Sequence, residues 1–596
     1  MNIRIATLAA SVSILIIAAC QSNTVSLDEA KKITASFEGS SFAPPPKTIK
    51  DITAILDQQE QANPEAVARA RAELDKQPPS ELSGEDLGMF YMKRARVALR
   101  LGDIKRQLAD MRKAETLTRE ANSKTRSQIY WELSIAEAKM GFIANYLRYQ
   151  KASVDKLQTG TGGYLTRSSV LAKNYANHGD LSAAEQIIKK SEAALAQAPS
   201  WRSWQNGRYR YTRAVHRGIA AVLDSKGQYS EAERFHRSAL KASTEQLRRQ
   251  PGHTIEARVN ENERCALAIN LLNQGRPIEA ETHVRKALTD VLKRVGRYSH
   301  DTAEVINFLV SVLTAQRRHS EAEQLARAAI DIYRKVGVPE GSYRLALTHN
   351  LLADTLLNQG MWDEVLSIFN LVEKSFSSDP TKLDRYFRMH TEYGIAGQGI
   401  ALAQAGRLSE AHTYTNEAIA YLSREFGETH YETALLKGIL GTILAKQGVQ
   451  GKALKAFQES TPILVARSSR ADVAGRSKNK LFELILDGYV NLLGAIHKTD
   501  LERESGIDAA SEAFRISDVL RSSNVQFALS ASSARAASNN PELADIARRE
   551  QDAEKQITAL GALLADGLAL PTDQRNEKAL GDLRKRMEAL TAARAT

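Results

Sequence analysis

The sequence has little that would support chemistry of its own. It contains only two cysteines, Cys20 and Cys265, and this excludes a disulfide framework. Its 12 histidines form no His-Glu-x-x-His pair and no Cys-x-x-Cys pair occurs, so the common zinc signatures are missing. Neither a Gly-x-Ser-x-Gly elbow nor a Walker-type phosphate loop is present. We therefore predict no catalytic residue, no metal and no cofactor, and a protein that is not an enzyme.

Strand-like alternation and a strong charge excess are also missing. Lysine and arginine number 81 against 70 acidic residues, a net charge of +11 spread over 596 residues. Such an excess over a long surface is typical of solvated helices, and we predict no nucleic-acid partner. A chain of this length exceeds a single hydrophobic core, so it forms either several domains or one extended solenoid.

What the sequence does contain is a repeat. A residue in a helix-ending position recurs with steps of 48, 48, 42, 43, 46 and 42 residues: Gly179, Gly227, Gly275, Arg317, Gly360, Gly406 and Gly448. Self-similarity at a period of 20 to 50 residues indicates stacked repeats. Each unit reads as an apolar-periodic helix, a turn and a second apolar-periodic helix.

The spacing within each unit suggests how its two helices pack. Leu267 and Leu309 stand eight residues before their turns, where they would fill the space between the helices. Ala280 and Ala322 stand five residues after the turns, where two helices would cross too closely for a larger side chain. The period thus predicts a row of helix pairs that bury their cores against their neighbours.

These residues resemble the tetratricopeptide repeat family, in the longer variant found in kinesin light chains. The match rests on Leu267-Ala268, Gly275, Ala280, Val284 and Ala287, and it departs at Arg317 and Val365, which occupy a glycine and an alanine slot. The resemblance implies an all-α fold, an α-solenoid of tetratricopeptide helix pairs over residues 51–470. It also implies a concave groove that binds a protein or peptide.

In this family the first helix of each pair lines the groove, and residues three or four apart share that face. In this sequence that face also carries Cys265, Ile269, Glu304 and Ser311. The candidate partner contacts on it are Asn262, Asn273, Asn307, Asn350, Asp354 and Asn358. Asparagines here either grip the backbone or C-terminus of an extended peptide, or simply tolerate a wet concave surface. Residues 201–217 add interleaved aromatics and arginines, from which we select Arg208 and Arg217 as candidate partner contacts.

The N-terminus predicts export and lipidation. Residues 1–19 combine Arg4, an apolar run and small residues, which is typical of a signal peptide. Ile17-Ala18-Ala19-Cys20 resembles the bacterial lipoprotein signal, which implies that Cys20 becomes a lipidated first residue, anchored on the periplasmic side of the bacterial envelope. Gln21 favours the outer over the inner membrane by resemblance to sorting rules. Residues 20–50, polar and rich in proline near their end, predict a tether.

Residues 471–596 have a different character. They predict a last helix pair and then a helical hairpin, with apolar positions at Leu560, Leu564, Leu580 and Leu583. The region from about residue 500 resembles the part that precedes the caspase-related CHAT domain in bacterial repeat proteins. None of that domain's catalytic positions is present. The expectation is either a truncated reading frame or a CHAT peptidase-like domain on a separate chain.

Three functions remain open at this stage. The first is a membrane-anchored scaffold or sensor of a CHAT-type system that binds peptide or protein partners in its groove. The second is an accessory lipoprotein of envelope assembly. The third is the N-terminal part of a truncated CHAT cysteine peptidase.

Overall fold

A computed structural model describes residues 49–58, 64–101, 103–140, 142–338, 340, 343–377, 394–426, 428, 431–468, 480–521 and most of 549–595. The chain divides into two compact units, Met1–Gln61 and Ala62–Thr596. In the first unit the described helix is α1, Lys50–Gln58. The predicted signal peptide, Cys20 and nearly all of the tether lie outside the described residues.

Helices make up the second unit, and no strand occurs in the ranges above. In chain order they are α2 (Pro64–Leu74), α3 (Gly84–Leu101), α4 (Ile104–Leu117), α5 (Ser123–Lys139), α6 (Ile143–Asp155), α7 (Gly162–Asn177), α8 (Leu181–Gln197), α9 (Trp204–Ser225), α10 (Tyr229–Arg249), α11 (Thr254–Asn273), α12 (Pro277–Val295), α13 (His300–Ala315), α14 (His319–Lys335), α15 (Tyr343–Gln359), α16 (Trp362–Ser377), α17 (Gly394–Gln404), α18 (Leu408–Phe426), α19 (Tyr431–Lys446), α20 (Gln450–Ser468), α21 (Lys480–Ile496), α22 (Asp500–Ser505), α23 (Ala509–Arg521) and α24 (Glu577–Ala595). From α3 onward consecutive helices pack in pairs, and each pair stacks on the next. The all-α solenoid predicted from the repeat is confirmed.

The turns explain why the repeat tolerates an arginine in a glycine slot. Gly275 has φ 73° and Arg317 has φ 61°, so both residues end their helices in the left-handed conformation. In each case the N–H of the next residue donates to a carbonyl one turn back, Leu271 O or Leu313 O, at 2.9 Å. A side chain in this conformation costs roughly 1–2 kcal/mol, a strain that Arg317 bears and glycine avoids.

The small and large apolar positions of the repeat are buried where the spacing places them. Leu267 and Leu309 have no exposed surface, nor do Ala280 and Ala322. Val365, which departs from the alanine pattern, is equally buried. The repeats therefore keep one packing plan while allowing a larger residue at one helix crossing.

Distant parts of the second unit also meet. A Cβ on Gly337, just after α14, would lie 3.6 Å from Leu101 O at the end of α3. The end of the sixth helix pair (α13 and α14) therefore lies against the first pair (α3 and α4). Further along, the described residues between 556 and 568, which are helical, form the predicted C-terminal hairpin together with a 3-10 turn (Thr572–Gln574) and α24. A Cβ on Gly567 would lie 2.5 Å from Leu580 Cδ2, which shows how closely its two arms pack.

The C-terminal hairpin packs on helices some 400 residues earlier. One apolar core joins it to α7, α8 and α9, and its buried members are Ala172, Ala176, Leu181, Ala184, Ile188, Val222, Leu560, Leu563, Leu564, Leu568, Leu580 and Leu583. At its rim Asn576 donates to Asp180 at 2.8 Å, and Arg586 pairs with Glu185 at 2.9 Å. The hairpin also reaches α18, because the Tyr421 hydroxyl donates to Leu568 O at 3.0 Å.

Candidate partner-binding groove

Charged side chains on six first helices of the second unit influence one another electrostatically. We call this set the first-helix charge cluster. Its members on α5, α7, α9, α11, α13 and α15 are Lys139, Lys173, Arg213, Arg217, Arg258, Glu263, Asp301, Glu304 and Arg344. First helices line the predicted groove, so the cluster lies on the surface where a partner is expected.

Each carboxylate of the cluster already holds an arginine. Glu263 accepts from Arg213 and from Arg217, both at 3.2 Å. Glu304 accepts from Arg344 at 2.9 Å. Asp301 likewise pairs with Arg258, at 3.3 Å. The arginines therefore already neutralise the acidic groups of the cluster.

Glu304 is the electrostatic centre of the cluster. Burial alone would raise the pKa of its carboxyl, but the positive charges of Arg344, Arg258 and Lys139 outweigh burial and lower that pKa. The negative charge of Glu304 acts in turn on both Lys139 and Lys173, on helices α5 and α7. The two lysines therefore share one electrostatic environment although they belong to different repeats.

Lys139 and Lys173 are the members without a partner. Neither ammonium forms a hydrogen bond or an ion pair within the part of the chain that the structure describes. Burial, followed by the positive charges of Arg344 and Arg258, lowers the pKa of Lys139 to about 7. Burial and Arg217 lower the pKa of Lys173 to about 8. An anion placed beside either lysine would raise the pKa of that lysine again, because it would stabilise the charged form of the amine.

The polar positions predicted on α13 and α15 are mostly buried between helices. The Asn307 amide donates to Thr348 Oγ1 at 2.8 Å, and its Oδ1 has no partner among the described residues. Asn350 and Asp354 are only 5% and 7% exposed. The Asn358 amide donates to the backbone oxygen of Asp354 at 2.8 Å. The Asn307–Thr348 contact joins two neighbouring repeats, whereas the Asn358 bond lies within α15. The proposed role of these side chains in partner binding stays a prediction.

On α11 the predicted residues differ in accessibility. Asn262 is exposed and Asn273 is half-buried. Cys265 is buried, and burial raises the pKa of its thiol, which fits a packed side chain rather than a nucleophile.

Arg208 and Arg217 belong to different environments on α9. Arg217 joins the first-helix charge cluster through Glu263. The Arg208 guanidinium lies over the Tyr209 ring, 4.8 Å from its centroid, near the start of the helix. The two arginines therefore do not form one contact patch.

Sequence reasoning selected Glu304 as a groove position but missed the two lysines. A signal for Lys173 was available: it stands six residues before Gly179, as Ile269 and Asp354 stand six residues before their own turn glycines. Extending the groove register two repeats toward the N-terminus, from Gly275 to Gly179, would have found it. Lys139, the last residue of α5, stands two residues before Gly141, as Asn273 and Asn358 stand two residues before Gly275 and Gly360, so the same register extended to Gly141 would have found it as well.

Comparison with known proteins agrees with this architecture. Residues 261–335 match the family model described as tetratricopeptide repeat. These residues cover most of α11 and α12–α14, which carry Glu263, Asp301 and Glu304. A comparison with curated proteins gave no match.

Several solved structures are similar to parts of the chain. Kinesin light chain tetratricopeptide-like repeats from Podosopora anserina are 14% identical over 35% of this chain and 95% of theirs, with a TM-score of 0.28. BtubC from P. vanneervenii is 19% identical over 41% and 91%, with a TM-score of 0.31. A Rap protein complexed with competence and sporulation factor is 13% identical over 72% and 98%, with a TM-score of 0.35.

The described residues offer neither a cluster of metal ligands nor a membrane-spanning helix. No group of three or more histidine, cysteine, aspartate or glutamate side chains there could hold a metal ion. None of the helices described above is both long and apolar enough to cross a membrane.

Proposed function

We propose that the chain is a protein-binding scaffold whose first helices hold a carboxylate-bearing segment of a partner. The observation that carries the proposal is that two half-buried lysines, Lys139 and Lys173, form no ion pair among the described residues and have lowered pKa values. The carboxylates beside them are already held by arginines, so a negative charge supplied from outside would complete the cluster. A stack of helix pairs offers a long surface suited to an extended or helical segment.

The test uses a fluorescein-labelled glutamate-rich peptide and a matched peptide with glutamine in place of glutamate. Fluorescence anisotropy with the full chain should show preference for the acidic peptide. Lys139→Met and Lys173→Met should each weaken that binding about tenfold, as expected for the loss of one partly desolvated charge pair. Lys151→Met is the control, because it removes the same charge from a side chain that is 59% exposed and paired with Asp155. Equal binding of the two peptides, or equal loss in the control, would contradict the proposal.

The same helices connect the groove with the C-terminal hairpin. On α7, Ala172 and Ala176 flank Lys173 in the sequence and pack against the hairpin. On α9, Val222 packs against the hairpin while Arg217 joins the charge cluster. We propose that a bound partner shifts α7 and α9 and so alters hairpin docking. Because the hairpin region resembles the segment preceding a CHAT domain, the downstream partner would be a CHAT peptidase-like domain on a separate chain.

Hydrogen exchange tests this coupling directly. Saturating acidic peptide should change amide protection in residues 556–590 of wild type, and Lys173→Met should abolish the change. Deletion of residues 500–596 should then remove binding to a CHAT-type partner while peptide binding persists. Unchanged hairpin protection with peptide bound would contradict the coupling but leave the binding function intact.

Attachment to the envelope is a separate proposal that rests on the sequence around Cys20. A chain lipidated there would be held at the periplasmic side of a membrane by its acyl groups. Metabolic labelling with palmitate should mark the wild-type chain and not Cys20→Ala. Equal labelling of the two chains would refute it.

A further inference from the structure

A second cationic feature lies at the start of α9 and the end of α10. We call it the arginine edge, and its members are Arg202, Arg208, Arg210 and Arg249. Tyr209 holds two of them, with the Arg208 and Arg249 guanidinium carbons 4.8 and 4.6 Å from its ring centroid. Arg208 also donates to the Tyr209 hydroxyl at 3.2 Å. The edge is thus built on an aromatic side chain, which restricts the arginines without neutralising them.

A second aromatic pair supports the rest of the edge. The Arg210 guanidinium carbon lies 5.5 Å from the centroid of the Tyr211 ring, and Tyr211 contacts Trp201 at a centroid distance of 6.4 Å. Tyr211 is only 3% exposed, because it fits against the backbone of Gly162 and Gly207. Arg208 and Arg210 therefore project from helix α9 and Arg249 from the end of α10, whereas Arg202 lies in the turn before α9.

None of the four arginines pairs with a carboxylate in the described part of the chain. Other arginines of the chain, such as Arg237, Arg327 and Arg407, each hold at least one glutamate. Arg202, Arg210 and Arg249 are exposed, and the half-buried Arg208 keeps its Nε without a hydrogen-bond partner among the described residues. Arg208 and Arg249 share the Tyr209 ring, and Arg202 and Arg210 are close to Arg208 in the sequence, so four cations without a carboxylate partner stand near one end of this helix pair, where they would attract anions.

Trp201 and Trp204 extend the edge with partly exposed indole rings. Both pack on the core around Leu165 and Val215, so each ring has one apolar face anchored and some surface left to solvent. Tryptophan beside arginine is typical of surfaces that sit at the level of lipid headgroups, where one end of the side chain is apolar and the other is wet. The first-helix charge cluster, in contrast, contains no member of this edge.

From this arrangement we infer that the arginine edge binds the surface of an anionic bilayer. The inference goes beyond the groove function and does not depend on it. Each arginine near an anionic lipid surface contributes about fivefold in partition coefficient, so four together would contribute several hundredfold, on the order of a second membrane anchor. A chain that is also lipidated at Cys20 would then be oriented on the membrane by this edge.

The test uses the full chain with Cys20→Ser, which removes the acylation site from every variant. Co-sedimentation is measured with vesicles of phosphatidylcholine alone and of phosphatidylcholine mixed with phosphatidylglycerol. The edge variant replaces the four edge arginines by glutamine. The control replaces Arg327, Arg334, Arg407 and Arg515, which have the same total charge and each hold a glutamate.

We expect the unsubstituted edge to favour the anionic vesicles, the edge variant to lose this preference by about a hundredfold or more, and the control to keep it. The preference should also weaken steeply as salt shortens the Debye length below about 10 Å. Equal loss in the control would show a net-charge effect, and absence of any lipid preference would show no membrane surface; either result overturns the inference. Loss of acidic-peptide binding in the edge variant, with vesicle binding unchanged, would overturn it as well and assign the edge to the groove.

Discussion

The docking of the C-terminal hairpin makes Leu583→Ala an informative perturbation. Leu583 is 1% exposed, and its Cδ1 lies 3.0 Å from where a Cβ on Gly179 would be placed, so its side chain fills the contact between α24 and the turn after α7. Truncation of such a leucine costs about 2–5 kcal/mol, depending on how far the surroundings close the cavity. The full cost falls on docking, because the removed atoms pack across the boundary between hairpin and repeats.

Native-state hydrogen exchange reports this cost locally. If the hairpin detaches as a unit, exchange through that opening should accelerate by roughly 30-fold to 4,000-fold in residues 556–590. The turn and helices beneath it, α7 and α8, should accelerate in parallel. Protection in α13 and α14 should stay at the wild-type level, because they contribute nothing to this apolar core.

Leu309→Ala is the matched control, since Leu309 is fully buried inside α13 and has no contact with the hairpin core. It should accelerate exchange in α13 and its neighbours and leave the hairpin unchanged. Unaltered exchange of residues 556–590 in Leu583→Ala, or a uniform acceleration over all repeats in both variants, would refute the hairpin as a separately docked unit.

Three further predictions concern single residues. Gly207→Ala should lower the free energy of unfolding in urea by about 1–3 kcal/mol, because the new Cβ would lie 2.2 Å from Tyr211 Cζ. Gly494→Ala is the control: the space around Gly494 is open, so this substitution should raise the free energy of unfolding by roughly 0.5–1 kcal/mol. Arg317→Gly should leave the melting temperature unchanged or raise it, since roughly 1–2 kcal/mol of left-handed strain is removed and part of it is offset by the entropy of glycine; a clear fall in melting temperature would contradict this. Affinity for the glutamate-rich peptide should fall as pH rises through about 7, because an anion prefers the protonated amine of Lys139. A pH-independent affinity, or the same pH dependence in Lys139→Met, would contradict the role of Lys139 in binding the peptide.

The solenoid could be predicted from the sequence because its determinants are local and repeated. The helix-ending slot, the buried alanine five residues later and the apolar residue eight residues before recur often enough to reveal the helix pairs. Arg317 looked like a departure, yet it adopts the same left-handed turn as Gly275. The hairpin itself was also predictable, because Leu560 and Leu564 on one arm, and Leu580 and Leu583 on the other, have helical spacing.

The candidate site was less accessible to sequence reasoning. A repeat pattern tells which helix faces the groove, but not which helices of different repeats come close. The influence of Arg344 on Lys139, 205 residues away, depends on how the stack winds and has no signal in either segment. The docking place of the hairpin is equally nonlocal, since any apolar helix edge could have received it. The asparagines were selected as groove residues because of their residue type and register, although Asn350 proves to be mostly buried between helices.

The contact between the sixth helix pair and the first limits how the number of repeats can change in evolution. An open array can gain or lose a unit anywhere, because each unit meets only its neighbours. Here an inserted unit between α3 and α14 would separate Gly337 from Leu101, and one between α9 and α18 would pull Tyr421 from the Leu568 carbonyl. Unit number is therefore constrained by geometry, and duplications should be tolerated only outside the stretch that these contacts enclose.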